Sequence, residues 1–427
     1  MQNKKSIDGF FKGNVCISNL TRIHKKKFSR LNSVIGEGNS ISGLPFIKKG
    51  VIQKLEKKNN FVLDKKKKFI IVNANARIVD VHNFLLKNKF FCHYFPSYPY
   101  VTVGGCIANG SHGIAPKLGI FTDFVEEITI YNPNFGYKKL SKIKNKNIFE
   151  LTKSGLGMTG VILNAKLKIF ELPSTNIKIE NYEFNNLLDC YKFMKQSKQI
   201  YNQNSFTINY TKEKIFLGRL ISGSFNKKEF FIKNIKNIKI SKIRIGLFNF
   251  FFIKNLIFNL IFLLEKFKIY FRKNQHINDI LFTSNKRTLY FSLMPSKFIE
   301  YQNIIPDKKV KKYLKEFEKI IKLHEPNITL LHLKQFAKNN KNLAFTANGL
   351  AIAVHIIKDK NFEIFLKKLI ELDLKFKCKL NLYKNSLVDK LLIKKFYRKK
   401  YIIFLNKIKK INKKYLFTNN IFVNYLN

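Results

Sequence analysis

Acidic side chains are scarce in this chain. Asp and Glu number 27 among 427 residues, against 80 Lys and Arg, and the formal charge at pH 7 is +53. Two readings of that charge stay open. One is an anionic partner: nucleic acid, an acidic membrane surface or a phosphorylated substrate. The other is a drift of composition that enriches Lys, Asn, Ile and Phe together. The lysines run along the whole chain and form no arm or stripe. That distribution fits drift and argues against a specific nucleic-acid-binding protein. Cysteine is also sparse. Cys16, Cys92, Cys106, Cys190 and Cys378 show neither CxxC nor ladder spacing, which argues against a disulfide framework and against zinc; no metal is expected. The same usage points to a reducing compartment. The opening residues MQNKKSIDGFFKGNV lack the continuous apolar core of a signal peptide, so a cytoplasmic location is expected. Internal repeats and tryptophan are both absent.

What is present is a core. Hydrophobic residues make up 45% of the chain and aromatic residues 14%, enough for two or three folded domains. A short strand over 33–35 breaks into a glycine-rich turn. FIIVNANA reads as a strand and RIVDVHNFLLKN as the helix behind it. EEITIYNPNFGYKKL reads as a hairpin, and 161–169 as a half-buried strand with Val161, Leu163, Ala165, Leu167 and Ile169 on one face. Pro173 then marks a boundary. Beyond it, strands are expected at 288–295, 328–336, 350–357 and 376–383, with helices at FIEYQNII and NFEIFLKKLIEL between them. That pattern gives an antiparallel sheet backed by helices. The tail, 386–427, reads as a Lys-rich amphipathic helix followed by KYLFTNNIF.

The segment 246–264, GLFNFFFIKNLIFNLIFLL, has about the length of a membrane span, but Lys254 and Asn249, Asn255 and Asn259 interrupt it. Three readings remain: a buried hairpin or lid, a dip into the membrane surface, or a span. Lys266, Lys268, Arg272 and Lys273 follow at once and suit anionic headgroups beside such a dip.

Glycine is concentrated in two stretches, Gly36-Glu37-Gly38-Asn39-Ser40 and Gly104-Gly105 through Gly110 and Gly113, with Ser154-Gly155-Leu156-Gly157 before a strand as a third. Turns of this kind line up backbone N–H groups into an anion-binding concavity. A Rossmann site is excluded: no GxGxxG opens a helix after the first strand, and no acidic residue follows at the required distance.

The stretches GEGNS (36–40), VTVGGCIANGSHG (101–113), GIFTDFVEEITIYN (119–132) and SGLGMTGVI (154–162) together resemble the FAD-binding domain of the vanillyl-alcohol-oxidase/p-cresol-methylhydroxylase (PCMH-type) superfamily. FLGRL (216–220), LAFTANGLAIAVHIIKD (343–359) and KLNLYKNS (379–386) extend the resemblance to its polyprenylphosphoryl-ribose oxidases, with sugar-lactone and alditol oxidases as close kin. The resemblance implies an α+β fold: a two-subdomain PCMH-type FAD-binding domain over 1–172, a substrate domain over 173–385, and a segment 386–427 returning to the first domain. It implies oxidation of a secondary sugar hydroxyl, with C2 of a polyprenylphosphoryl ribofuranose as the first reading and a soluble aldonolactone or alditol oxidase as the second. A short-chain reductase would act on the keto product, and a lipid substrate would place the chain peripherally at an anionic membrane.

Site residues follow from the same resemblance. Gly36, Glu37, Gly38, Asn39, Ser40, Thr102, Gly104, Gly105, Asn109, His112, Gly113, Gly157, Val161 and Ile162 would hold FAD. Asn39 stands where covalent members carry the flavin-linked histidine, so FAD is expected to be non-covalent. Lys384, His112 and Tyr290 are the catalytic candidates. Tyr290, Lys334, Lys384 and Asn385 would meet the substrate, Lys334 its phosphate. Two departures are visible: Ala353 replaces a cysteine common in that group, and NANAR replaces its Ala-Gly pair.

Overall fold

The computed structural model describes residues 3–6, 14–20, 28, 31–40, 42–47, 50–197, 201–208, 210, 213, 215–226, 228–235, 245–271, 273–283, 288–295, 298–337, 343–384, 390–413, 416–420 and 422. The architecture is α+β, as the sequence leads one to expect, and it rests on three main sheets. The first runs in the order Asn3–Ser6, Asn14–Leu20, Val51–Leu55, Leu31–Ile35, Leu416–Phe417. Leu31–Ile35 pairs in parallel with Val51–Leu55 and with Leu416–Phe417, so the carboxy-terminal segment closes the amino-terminal sheet. The second is antiparallel: Phe61–Asp64, Phe69–Asn73, Val161–Lys168, Val125–Asn132, Gly136–Ser141. The EEITIYNPNFGYKKL hairpin and the 161–168 strand fall where alternation puts them. Helix Ile78–Lys87 buries Ile78, Val81, Leu85 and Leu86 against this sheet's core.

The third sheet has eight strands, with Phe216–Phe225, Tyr201–Ile208, Ile328–Phe336, Gly349–Ile357 and Phe298–Pro306 at its centre. Helices Leu187–Gln196, Val310–His324 and Phe362–Phe376 bury their apolar faces in the cluster on one side of it. The other side carries polar residues at alternate positions. Glu300 and Gln302, His332 and Lys334, and Ala353 and His355 share that face, with Glu300 opposite His355 and Gln302 opposite Ala353. Alternation along a strand is thus what divides the core from the site.

Two neighbouring segments exchange their expected types. Residues 288–295, read as a strand, form helix Thr288–Leu293; 298–305, read as helical, form strand Phe298–Pro306. That strand is paired on both edges, and its outward side chains Glu300 and Gln302 are enclosed by the cavity rather than by solvent, so seven consecutive residues are buried and burial does not alternate. The TLYFSLMP run is too short for spacing to decide. The strand expected over 376–383 shrinks to Lys379–Leu380. Phe376 still belongs to the preceding helix, and Lys377 closes it at φ 58°. Lys384 therefore sits in a turn, and alternation along a strand does not place it.

Helix Phe251–Phe271 carries the apolar segment. Among the described residues no helix is long and apolar enough to cross a membrane. Nor is the segment a buried hairpin, because most of the described apolar side chains on it face solvent.

Beneath the eight-stranded sheet, Asp373 is fully buried. Its carboxylate accepts from Tyr301 Oη (2.6 Å), Tyr313 Oη (2.7 Å) and Asn303 Nδ2 (2.5 Å). Burial raises its pKa to about 6 despite those donors. The folded protein therefore binds this proton more tightly than the unfolded chain does. Its contribution is fully present below about pH 4 and is lost as pH rises through about 6. Relative to Asp373→Asn, the wild type should gain about 3 kcal/mol of unfolding free energy as pH falls through that window. Paired denaturant titrations measure the gap, and a gap that stays constant with pH refutes the assignment.

Candidate active site

Helix Val103–Asn109 begins at Thr102, whose hydroxyl accepts from Gly105 N at 3.3 Å, and ends at Gly110 in the left-handed region, φ 62°. Val103 N donates to Ala76 O, Gly104 N to Ala74 O and Cys106 N to Thr102 O. The first amides of this helix are therefore already satisfied by the chain itself and cannot serve a phosphate. The glycines have internal reasons as well. A Cβ on Gly110 would stand 2.1 Å from Ser154 Oγ, and one on Gly113 would stand 2.7 Å from Phe95 O. The third loop packs on the same helix, with Ser154 N on Ile107 O and Leu156 N on Ala108 O.

The turn Gly36–Ser40 is different. Among the described residues, the amides of 37–40 have no acceptor, and Gly38 has φ 77°. Asn39 Nδ2 donates to Tyr100 O at 2.9 Å, which holds the turn against the second glycine stretch. This is a concave donor array open to an anion. Of the two stretches, it is the one that fits a diphosphate.

Asn39 and Ser40 line a cavity of about 250 Å³. Asn109 and His112 join them from the amino-terminal domain. Glu300, Gln302, His332, Lys334, Ala353, His355, Asn381 and Lys384 come from the eight-stranded sheet and the turn after it. The remaining predicted residues lie off the cavity wall. Gly36 abuts Thr102, Gly104 abuts Ala74, and Glu37 pairs with Lys54 at 3.3 Å. Gly105 and Gly113 support the loop. Gly157 has φ 73° and open space around it. Val161 and Ile162 are buried in hydrophobic clusters. Tyr290 stands behind the wall on its helix, its hydroxyl 2.8 Å from His355 Nδ1 and 2.7 Å from Thr329 Oγ1. Asn385 lies outside the described residues.

The sequence reading did not single out Glu300, Gln302, His355 or Asn381. Glu300 lies 3.2 Å from Lys384 Nζ and 3.7 Å from His355 Nε2. Burial alone would raise its pKa; the Lys384 ammonium and then His355 outweigh that and hold the carboxyl well below the usual range. A buried carboxylate with two basic neighbours is thus ionised throughout the working range of pH.

A chain of amides fixes His112. Tyr383 N donates to Asn381 Oδ1 at 2.9 Å, leaving Asn381 Nδ2 to donate to Gln302 Oε1 at 2.6 Å. Gln302 Nε2 then faces His112 Nε2 at 3.4 Å, and His112 Nδ1 lies 3.0 Å from Gly113 O. Only one neutral tautomer satisfies every link: Nδ1 carries the proton and donates to Gly113 O, while Nε2 accepts. Burial first, then the charge of Lys334, pushes His112 down to about 3, so the ring is neutral at ordinary pH.

Residues 25–135 match the family model described as FAD binding domain. Over these residues the chain carries an FAD-binding domain. Its relatives include L-galactono-1,4-lactone dehydrogenase 2, mitochondrial, of Oryza sativa subsp. japonica, 28% identical over 32% of this chain and 24% of the relative. D-arabinono-1,4-lactone oxidase of Candida glabrata is 24% identical over 39% and 32%. L-gulonolactone oxidase of Mus musculus is 29% identical over 32% and 31%. The matched region spans about a quarter to a third of the length of these relatives. Residues 25–135 contribute Asn39, Ser40, Asn109 and His112 to the cavity, and the residues opposite them come from the eight-stranded sheet and from the segments that hold Thr283, Phe291, Phe345, Asn381, Tyr383 and Lys384.

Proposed function

We propose that this chain is an FAD-dependent oxidoreductase that oxidises a secondary hydroxyl of a sugar. The observation that carries the reading is one cavity in which the turn 39–40 and His112 face a buried Glu300 paired with a half-buried Lys384. When bound, FAD supplies the two-electron acceptor. The turn 37–40 would hold its diphosphate, and Asn39, a carboxamide, leaves it unlinked.

The chain's own residues handle the proton. Lys384 Nζ, one hydrogen on Glu300, has others for the substrate oxygen. As the C–H bond breaks, Lys384, which has first released a proton to solvent through its exposed side, takes the hydroxyl proton, and the Glu300 carboxylate stabilises the ammonium that forms, so the carbonyl product leaves with the charge balanced. The Gln302 amide, held in place by His112 Nε2, faces a second hydroxyl, and Lys334 supplies positive charge on the same wall. His355, held by Tyr290, keeps Glu300 ionised.

For the substrate we favour C2 of a polyprenylphosphoryl ribofuranose, supported by the second-domain stretches FLGRL, LAFTANGLAIAVHIIKD and KLNLYKNS and by Lys334 as a phosphate partner. A reductase acting on the 2-keto product would complete epimerisation. The names of the relatives favour a second reading, a free aldonolactone. Purified protein should show flavin absorbance that passes into the supernatant on acid precipitation. Turnover assays with an artificial electron acceptor, run in parallel on a polyprenylphosphoryl pentose and on aldonolactones, decide between the two substrates. A correctly folded preparation that takes up no FAD ends both readings.

A further inference from the structure

Helix Phe251–Phe271 is built inside out. Phe252 is 79% exposed, and Leu256, Leu260, Leu263 and Leu264 are each half or more exposed. At about 100° per residue these five side chains fall within an arc of roughly 120°. Lys254, on the far side, is 1% exposed and donates to Asn327 Oδ1 at 2.7 Å and Ile328 O at 3.2 Å. The helix therefore turns Lys254 into the protein and its leucines into solvent. Phe250 and Ile253 extend the exposed stripe at its amino-terminal end.

The helix is also rooted in the wall of the cavity. Asn327 Nδ2 donates to Phe248 O at 3.1 Å, and the Phe248 ring lies 5.7 Å from that of Tyr290. Tyr290 holds His355, and the next residue, Phe291, lines the cavity. A surface that engaged the stripe would thus lie beside the site.

We propose that this helix docks the protein on an anionic lipid bilayer, lying in the interface with its leucine stripe among the acyl chains. The charge decides between occupants. A second copy would bring two chains of +53 together, which opposes association, whereas an anionic bilayer attracts that charge. Lys273, exposed just past the helix end, lies where headgroups would be. No span is needed: a stripe on one face of a helix gives interfacial binding.

The test is co-sedimentation of the full chain with phosphatidylglycerol–phosphatidylcholine vesicles. A chain this basic will adhere to them by charge alone, so the measurement is made at low salt and again at about 1 M, where the screening length is about 3 Å. Wild type should stay bound at high salt. The triple variant Leu256→Glu, Leu260→Glu, Leu263→Glu should lose roughly ten-fold or more of the bound fraction there, with an unchanged melting temperature and FAD content. Leu323→Glu with Ile364→Glu, which removes exposed apolar residues on two other helices, should bind like wild type. Wild type that washes off as readily as the triple variant overturns the proposal. So does a wild-type dimer in solution that the triple variant dissociates, since the stripe would then be a contact between copies.

Discussion

Lys384→Met should retain FAD and lose turnover, with kcat down by about 10²–10⁴-fold, the range for removing a positioned proton-transfer group. The side chain is unbranched and of similar length, so the turn keeps its shape, and the 35% exposure of the lysine side chain leaves little packing to lose. What goes is the ammonium that faces Glu300. The carboxylate is then left with burial, which raises its pKa, opposed by His355. Two companions separate this from a structural effect. Lys384→Arg keeps the positive charge beside Glu300 but cannot give up its proton at working pH, so KM should stay near wild type while kcat remains low. Glu300→Gln leaves the lysine without its counter-charge, so the ammonium formed in turnover is no longer stabilised and the variant should be slow even though Lys384 is intact. Steady-state kinetics with the flavin spectrum as the folding control read all three. If Lys384→Met turns over within about two-fold of wild type, the lysine has no part in the chemistry.

That prediction joins a residue visible in the sequence to one that was hidden. Lys384 stood out through the KLNLYKNS stretch, although the strand expected just before it shrinks to Lys379–Leu380 and Lys384 lies in a turn. Glu300 was hidden because Phe298–Pro306 is buried along nearly its whole length. The alternation Ile299-Glu300-Tyr301-Gln302 is only four residues long before Asn303, Ile304 and Ile305 break it, so 298–305 took helical spacing and the shared face of Glu300 and Gln302 disappeared. An acid inside an apolar run of a chain so poor in acids was the available signal. Where buried and half-buried positions mix along the strand, as in 125–132 and 161–168, the strands lay where expected. The tautomer-fixing chain from Tyr383 through Asn381 and Gln302 to His112 was illegible for another reason. It joins residues distant in sequence, and only the sheet register brings them together. The glycine stretches were legible as landmarks, but their reason differs from the one their composition implied: most of the loop's glycines make room for the protein's own chain.

Gly36 shows what that means for cofactor binding. A Cβ there would lie 2.1 Å from Thr102 Oγ1, 2.8 Å from its Cγ2 and 3.0 Å from its Cβ. Thr102 cannot swing away freely, because its hydroxyl caps the helix that carries Asn109 toward the cavity. Gly36→Val must therefore displace either the cap or the turn 37–40, and the turn is the side with unsatisfied amides. FAD affinity should fall by about 100-fold or more, since losing two or so charge-assisted hydrogen bonds costs about 3 kcal/mol, while the second domain stays folded. Gly36→Ala should show the same defect in milder form. Adding Thr102→Ala to Gly36→Ala removes the two closest atoms and should recover most of the affinity, although Thr102→Ala by itself costs about 1 kcal/mol of helix capping. Flavin fluorescence titration of the four proteins completes a double-mutant cycle. Additive losses, with no recovery in the double variant, would mean that the two stretches do not press on one another and that the cradle for the diphosphate lies elsewhere.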